Sequence, residues 1–252
     1  MKEDNPKLVI ITGATSGFGK ACAIKFAENG WQVIATGRRL DRLQSLQADI
    51  GAEKCEIQCF DVNKPSEVEQ FCESLKERRV DLLINNAGLA LGLSPAHKAD
   101  FSDWETMIET NILALARMTR SILPMMVENK NGHIINLGSI AGSYAYPGAS
   151  VYGATKAFVE QFSLNLRADL GGTGIRVTNI EPGLSYTEFS KVRFHGDAAK
   201  ADALYQGVEP LLAEDIAESI YWCASLPKHV NINRLEIMPT CQAFGPLAIH
   251  KN

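Results

Sequence analysis

The chain has 252 residues, 46% hydrophobic and 21% charged, which is ordinary for a globular protein and enough to build a sizeable core. Its net charge of −4 is spread along the chain, with no basic block and no basic–aromatic interleaving, so a nucleic-acid partner is excluded from the expectations. The charged opening, Met1 to Pro6, lacks the apolar stretch of a signal peptide, and no apolar run approaches membrane-spanning length, so a cytoplasmic protein without a membrane partner is expected.

In chain order, short Val- and Ile-rich runs alternate with longer amphipathic stretches. A strand over 8–13 leads to a helix over 18–29, then a strand over 32–38 and a helix over 40–49. The alternation continues with a strand over 55–62, a helix over 65–77, a strand over 80–86 and a long helix over 102–128. Strands over 133–139, 175–181 and 234–238 bracket helices over 152–170 and 213–225. Pro65 and the pair Glu214-Asp215 suit helix starts, whereas Gly30 and Gly171-Gly172 suit helix ends. Several strands are apolar without alternation, as expected where a parallel strand is covered on both faces.

This pattern predicts one doubly wound α/β domain over 1–252, with a mostly parallel seven-stranded sheet. Residues 184–208 break the rhythm, being polar, glycine-bearing and weakly patterned, and are expected to form a substrate lid. The six cysteines form no C-x-x-C pair and lack a matching histidine cluster. They read as buried thiols, with no metal site. His97 and His195 fall in expected loops near the site's edge.

The first strand runs into Thr12-Gly-Ala-Thr-Ser-Gly-Phe-Gly19 and then a helix. Glycines there let the chain turn tightly and bring backbone N–H groups against a pyrophosphate at a helix N-terminus. Strand, glycine turn and helix together mark a Rossmann-type dinucleotide site. Gly13, Thr15, Ser16, Gly17, Phe18 and Gly19 are the candidate contacts. The second strand ends Ala35-Thr-Gly-Arg-Arg39, with Gly37 where NAD-binding proteins carry an acid for the ribose 2′-hydroxyl. A guanidinium accepts a 2′-phosphate that an acid would repel, so Arg38 and Arg39 favour NADP. The alternative, that both arginines open a solvated helix, is weakened by the missing acid.

The fifth strand ends at Ser139, and Tyr152-Gly-Ala-Thr-Lys156 opens the following helix. Residues four apart share a helical face, and strand C-termini border the ligand crevice, so Ser139, Tyr152 and Lys156 are expected to converge. Oxidising an alcohol sends a hydride to nicotinamide and a proton to a base. Tyrosine titrates near 10, and bringing it to about 7 takes about 4 kcal/mol of preference for the phenolate, which a neighbouring ammonium and a positive nicotinamide would supply. Ser139 would hold the substrate oxygen, and Lys156 would also bind the nicotinamide ribose. A Y-x-x-x-K spacing alone occurs by chance on many helices; the serine strand and the dinucleotide turn give it weight.

With these motifs, and with Asp61-Val62, Asn85-Asn-Ala-Gly88, Asn111 and Pro182-Gly183, the sequence resembles the short-chain dehydrogenase/reductase family over essentially its whole length. The resemblance implies that Asp61 and Val62 meet the adenine and that Asn86, with Ala87 and Gly88, packs against the cofactor. It gives Asn111 a water that links Lys156 to solvent; read without it, Asn111 is a helix asparagine facing solvent. Residues from Pro182 and Gly183 through Thr187 would close over the nicotinamide, and a homotetramer is implied. Phe18 departs from the aliphatic residue more usual there.

A narrower likeness rests on Gly88-Leu-Ala-Leu-Gly92, Asp103-Trp-Glu-Thr-Met107, Thr187-Glu-Phe-Ser190, Val192-Arg-Phe194 and Glu236-Ile-Met-Pro239. These resemble the NADP-dependent 3-hydroxy acid dehydrogenases, which act on serine, allo-threonine and related acids. A carboxylate substrate needs a cation. Arg193 is the candidate, Lys191 a weaker one, and both also read as solvated lid charges. A broader carbonyl or diketone reductase and a catalytically silent NADP-binding sensor are the competing readings.

Overall fold

The computed structural model describes residues 6–244; the charged opening over 1–5 lies outside them. Strand β1 (Leu8–Ile11) is followed by α1 (Gly17–Glu28), β2 (Gln32–Gly37), α2 (Leu40–Ile50), β3 (Cys55–Cys59), α3 (Pro65–Glu73) and β4 (Leu82–Asn85). Next come α4 (Phe101–Ile108), a π-helical turn (Glu109–Ala114), α5 (Leu115–Glu128), β5 (Gly132–Leu137) and α6 (Ser150–Asp169). The chain continues with β6 (Ile175–Pro182), the short helices α7 (Phe189–Arg193) and α8 (Ala198–Ala203), α9 (Ala213–Ser225) and β7 (Arg234–Ile237).

The seven strands form one sheet in the order β3-β2-β1-β4-β5-β6-β7. Every pairing is parallel, so the expected "mostly parallel" becomes wholly parallel among the described residues. The first strand shows why its run is apolar throughout. Val9 and Ile11 pack with Phe26, Trp31, Ile216 and Ile220 on one face, while Leu8 and Ile10 pack with Phe71, Met118 and Ile122 on the other. Each such side chain is worth about 1.5–3 kcal/mol when fully buried, so the double-sided cover makes β1 the anchor of the sheet. The strand order reverses between β1 and β4. That reversal opens the crevice in which open α/β sheets bind ligands, at the carboxyl ends of the strands.

Several boundaries differ from the sequence reading. Strands drawn to Gly13, Val62, Asn86 and Ser139 end earlier, at Ile11, Cys59, Asn85 and Leu137, because the chain leaves the hydrogen-bonded ladder just before its functional residues. The helix expected over 102–128 is interrupted by the π turn, and the segment expected to be irregular contains α7 and α8. Its base is pinned: the Tyr186 N–H donates to the Leu211 carbonyl and the Leu211 N–H to that of Leu184, at 2.8 and 3.0 Å. The thiols divide. Cys22, Cys55, Cys72 and Cys223 are buried as expected, but Cys59 and Cys241 are exposed; all six are free. Among the described residues no helix is long and apolar enough to cross a membrane.

Candidate active site

The turn between β1 and α1 takes its shape from close approach. A Cβ added at Gly19 would run into the Gly13 carbonyl and the Asn86 side chain, so the turn and the end of β4 share space that only glycine leaves open. Asn86 fixes the contact, donating from Nδ2 to the carbonyls of Thr12 and Gly13 at 2.8 and 3.0 Å. Beside this turn lies a cleft of about 340 Å³ lined by Gly13, Thr15, Ser16, Gly17, Phe18, Arg38, Arg39, Asp61, Val62, Asn86, Ala87, Gly88, Tyr152, Lys156 and Thr187. These are the residues that the sequence singled out for a dinucleotide, and the backbone cradle at the α1 N-terminus fits its phosphates. Gly19, Pro182 and Gly183 do not line the cleft: Gly19 acts through the backbone approach just described, and Gly183 is tied to β7 through the Ile237 carbonyl.

A packing reason keeps an acid out of position 37. A Cβ on Gly37 would come within 2.6 Å of the Thr15 methyl. Arg39 uses the space beside it, donating to the Thr15 hydroxyl at 3.0 and 2.6 Å and to the Ser16 hydroxyl at 2.9 Å. It stands at the start of α2 and also pairs with Glu188 at 3.1 Å, so it is engaged as well as partly solvated. Arg38 is looser, its side chain 63% exposed and 3.5 Å from Asp61. Arg42 joins them by donating to both Glu188 oxygens at 2.7 Å. Sequence reading missed Arg42 and Glu188. Arg42 had a signal, standing three positions after Arg39 on the same helical face; Glu188, 146 residues away, stood in the Thr187-Glu-Phe-Ser190 motif, but nothing in the sequence paired it with Arg42.

Tyr152 and Lys156 face the cleft from the first two turns of α6. Ser139 caps the short turn Ile140–Gly142, its hydroxyl accepting from the Ala141 N–H at 3.1 Å. That turn presses on α6 because Gly142 has no side chain; a Cβ there would lie 2.9 Å from the Ala157 nitrogen. Burial pushes the Tyr152 phenol up to about 12, against a hydrogen bond from Ser139 and the nearby Arg193 charge, which both pull it down. Burial also lowers the Lys156 ammonium to about 8. Lys156 donates to the Leu137 carbonyl at 2.7 Å and lies 5.8 Å from the Tyr152 ring centroid. Asn111 sits in the π turn, buried rather than facing solvent. Its Oδ1 accepts from the Leu89 N–H at 2.9 Å, and its Nδ2 donates to the Leu89 carbonyl at 2.8 Å and to the Thr155 hydroxyl at 3.1 Å.

Helix α7 brings Arg193 over this set. Its guanidinium carbon is 5.0 Å from the Tyr152 ring centroid and 5.2 Å from that of Phe189, and Nη2 donates to the Tyr146 hydroxyl at 2.9 Å. Among the described residues, its Nε is buried with no hydrogen-bond partner. Lys191 is exposed and lines a neighbouring hollow with Tyr186, Ser190 and Tyr205. His195 pairs with Asp103 at 3.2 Å, while His97 is exposed in the short turn Ala96–Lys98.

The sequence pattern of the family described as short chain dehydrogenase matches residues 7–198. The chain belongs to the short-chain dehydrogenase family. It is therefore an oxidoreductase of that family. Among its relatives, the NADP-dependent 3-hydroxy acid dehydrogenase of Salmonella typhi is 56% identical over 97% of this chain and 100% of the relative. A protein of Chromohalobacter salexigens named sulfoacetaldehyde reductase 2 is 51% identical over 97% of this chain and 99% of its own. A solved structure, the closed form of serine dehydrogenase complexed with NADP+, superposes with a TM-score of 0.95 at 53% identity, covering 97% of this chain and 100% of that one.

Proposed function

We propose that this short-chain dehydrogenase is an NADP-dependent enzyme that interconverts a small 3-hydroxy acid, such as serine or allo-threonine, with the corresponding carbonyl acid. The observation that carries the substrate class is Arg193, a cation stacked over Tyr152 with a buried, unpartnered N–H. A buried donor without a partner is costly, and a substrate carboxylate would satisfy it. The names of the relatives support the same class.

Bound coenzyme would supply the hydride acceptor and a positive ring charge. The chain's own residues do the rest. Ser139 orients the substrate oxygen, and Tyr152 exchanges the hydroxyl proton with it. Lys156, held by the Leu137 carbonyl, favours the phenolate and is placed to bind the ribose. Asn111, its side chain held by Leu89 and Thr155, is assigned the water that links Lys156 to solvent. Gly13, Thr15, Ser16, Gly17, Phe18 and Gly19 form the phosphate cradle, and Arg38 and Arg39 the 2′-phosphate side. Asp61 and Val62 border the adenine. Asn86, Ala87 and Gly88 form the floor, and the lid over 184–208, entered through Pro182, Gly183 and Thr187, closes the site.

An activity screen tests the reading: serine, allo-threonine and other small 3-hydroxy acids with NADP+, beside sulfoacetaldehyde and diketones with NADPH. Sulfoacetaldehyde is included because a sulfonate offers Arg193 the same negative oxygens and one relative is named for it. Arg193→Ala is expected to raise KM for a hydroxy acid about 30-fold, the equivalent of a charge-assisted contact of about 2 kcal/mol, and to spare uncharged ketones. Equal losses on both would assign Arg193 to lid closure. NADPH is expected to be preferred over NADH in kcat/KM, and joint replacement Arg38→Ala with Arg39→Ala to erase the preference; an unchanged ratio would remove both arginines from that role.

We also place the enzyme in the cytoplasm, where free thiols persist, and expect a homotetramer. Apolar side chains left exposed on α4, the π turn and α6, including Ile108, Leu113, Phe158 and Leu164, support an oligomer. A monomer by light scattering at micromolar concentration would refute it.

A further inference from the structure

We propose that Arg193 helps to make the Tyr152 phenolate, so that α7 delivers part of the positive charge on which proton transfer depends. This inference rests on the reading of Tyr152 as the proton-transfer group and gives Arg193 a role beyond holding a substrate carboxylate. Its first support is distance. The Arg193 guanidinium carbon lies 5.0 Å from the Tyr152 ring centroid, whereas the Lys156 ammonium lies 5.8 Å from it. An opposite charge within about 4–6 Å lowers an acid by about 1–3 in pH, so the cation on α7 counts beside the one on α6.

Contacts within the protein hold the guanidinium there. Phe189 flanks it at 5.2 Å and Tyr146 at 5.9 Å, so with Tyr152 three aromatic rings surround one cation. Its Nη2 donates to the Tyr146 hydroxyl, and its carbonyl accepts from the Gly92 N–H, both at 2.9 Å. Two residues further on, His195 pairs with Asp103 of α4. The end of α7 is thus tied to the loop after β4 and to α4.

The setting of the phenol gives a second cation something to do. The titratable and charged groups that face it are Lys156 on α6, Arg193 on α7 and Tyr146 in the loop before α6. Burial pushes the phenol up to about 12, the Ser139 hydrogen bond and the Arg193 charge pull it down, and Tyr146 adds to the effect of burial. Lys156 is lowered by burial to about 8, so its charge fades as pH rises into the range where a base forms most readily. A guanidinium keeps its charge throughout that range. A bound carboxylate would take up part of it, so Arg193 acts most strongly on the phenol before a substrate anion arrives.

Tyrosinate absorbance of the NADP+-saturated enzyme, titrated against pH with Tyr152→Phe as the blank, reads the effect without a substrate. Arg193→Met keeps an apolar stem among the rings and removes the charge, whereas Arg193→Lys keeps a charge. The Tyr152 titration should move up by at least about 1 in pH in Arg193→Met, and by less than half as much in Arg193→Lys. Arg193→Gln, checked for an unchanged melting temperature, gives a second uncharged comparison. In the oxidation direction, kcat of Arg193→Met should fall about tenfold below this limb and recover as pH rises, which a merely displaced helix would not show. Ketone reduction near neutrality draws on the protonated phenol, which both proteins hold, so the KM comparison above is undisturbed. An unmoved titration in Arg193→Met, or an equal shift in Arg193→Lys, would overturn the proposal. Propanoate separates it from the carboxylate reading: it should raise the titration of the wild type and leave that of Arg193→Met in place. No propanoate effect on either protein, with the Arg193→Met shift intact, would overturn the carboxylate reading alone.

Discussion

Tyr152→Phe is expected to bind NADPH within about twofold of the wild type and to lose turnover by at least 100-fold. The ring contributes contact with Phe189 and Arg193, which phenylalanine keeps. Only the hydroxyl is removed, and a positioned proton-transfer group is worth about 10²–10⁴ in rate. Stopped-flow hydride transfer and a coenzyme titration check the two halves separately. Retention of a tenth of the wild-type rate would take Tyr152 out of the proton-transfer role. Burial places the phenol at about 12, so the site must gain its phenolate preference from charges close to the ring. The dehydrogenase direction should accordingly accelerate as pH rises towards the loaded enzyme's tyrosine value, and the variant should lack that limb.

Lys156→Met is expected to lose activity by a similar factor while becoming more stable at neutral pH. Burial depresses the lysine from 10.5 to about 8, which corresponds to about 3 kcal/mol spent holding a charged ammonium inside the fold. The sign follows from linkage: the unfolded chain binds the proton more tightly, so the penalty is complete below about pH 8 and disappears above about 10.5. Denaturant midpoints for the two proteins should therefore differ most at pH 7 and converge as pH climbs through that window. A Lys156→Met protein less stable than wild type at pH 7 would show that the bond to the Leu137 carbonyl outweighs the burial cost. Stability sacrificed at a reacting centre is a common trade.

The parts of the site legible in the sequence are those written locally. Tyr152 and Lys156 share a helical face by spacing alone, and the glycine turn announces itself between a strand and a helix. Gly37 was legible as a missing acid, although its cause, contact with the Thr15 methyl, is tertiary. Strand ends were overrun at Gly13, Asn86 and Ser139 because apolar patterning does not mark where pairing stops. Asn111 illustrates the opposite difficulty. Its surroundings depend on a π turn and on Leu89 and Thr155, and nothing adjacent in the chain foretold either. The Arg42–Glu188 pair joins α2 to the start of α7 across 146 residues, a distance over which patterning carries no information.

The central place of β1 has a consequence for how the protein is made. Strand β1 needs partners on both sides, and the second of these, β4, begins only at Leu82. Until then one edge of an entirely apolar ribbon has no hydrogen-bonding neighbour, the condition under which nascent chains associate wrongly. Parallel pairings of this separation also form slowly, because a long stretch must be ordered before any contact rewards it. The strand order therefore makes the stretch before β4 the part of the chain most open to mispairing while it is being made.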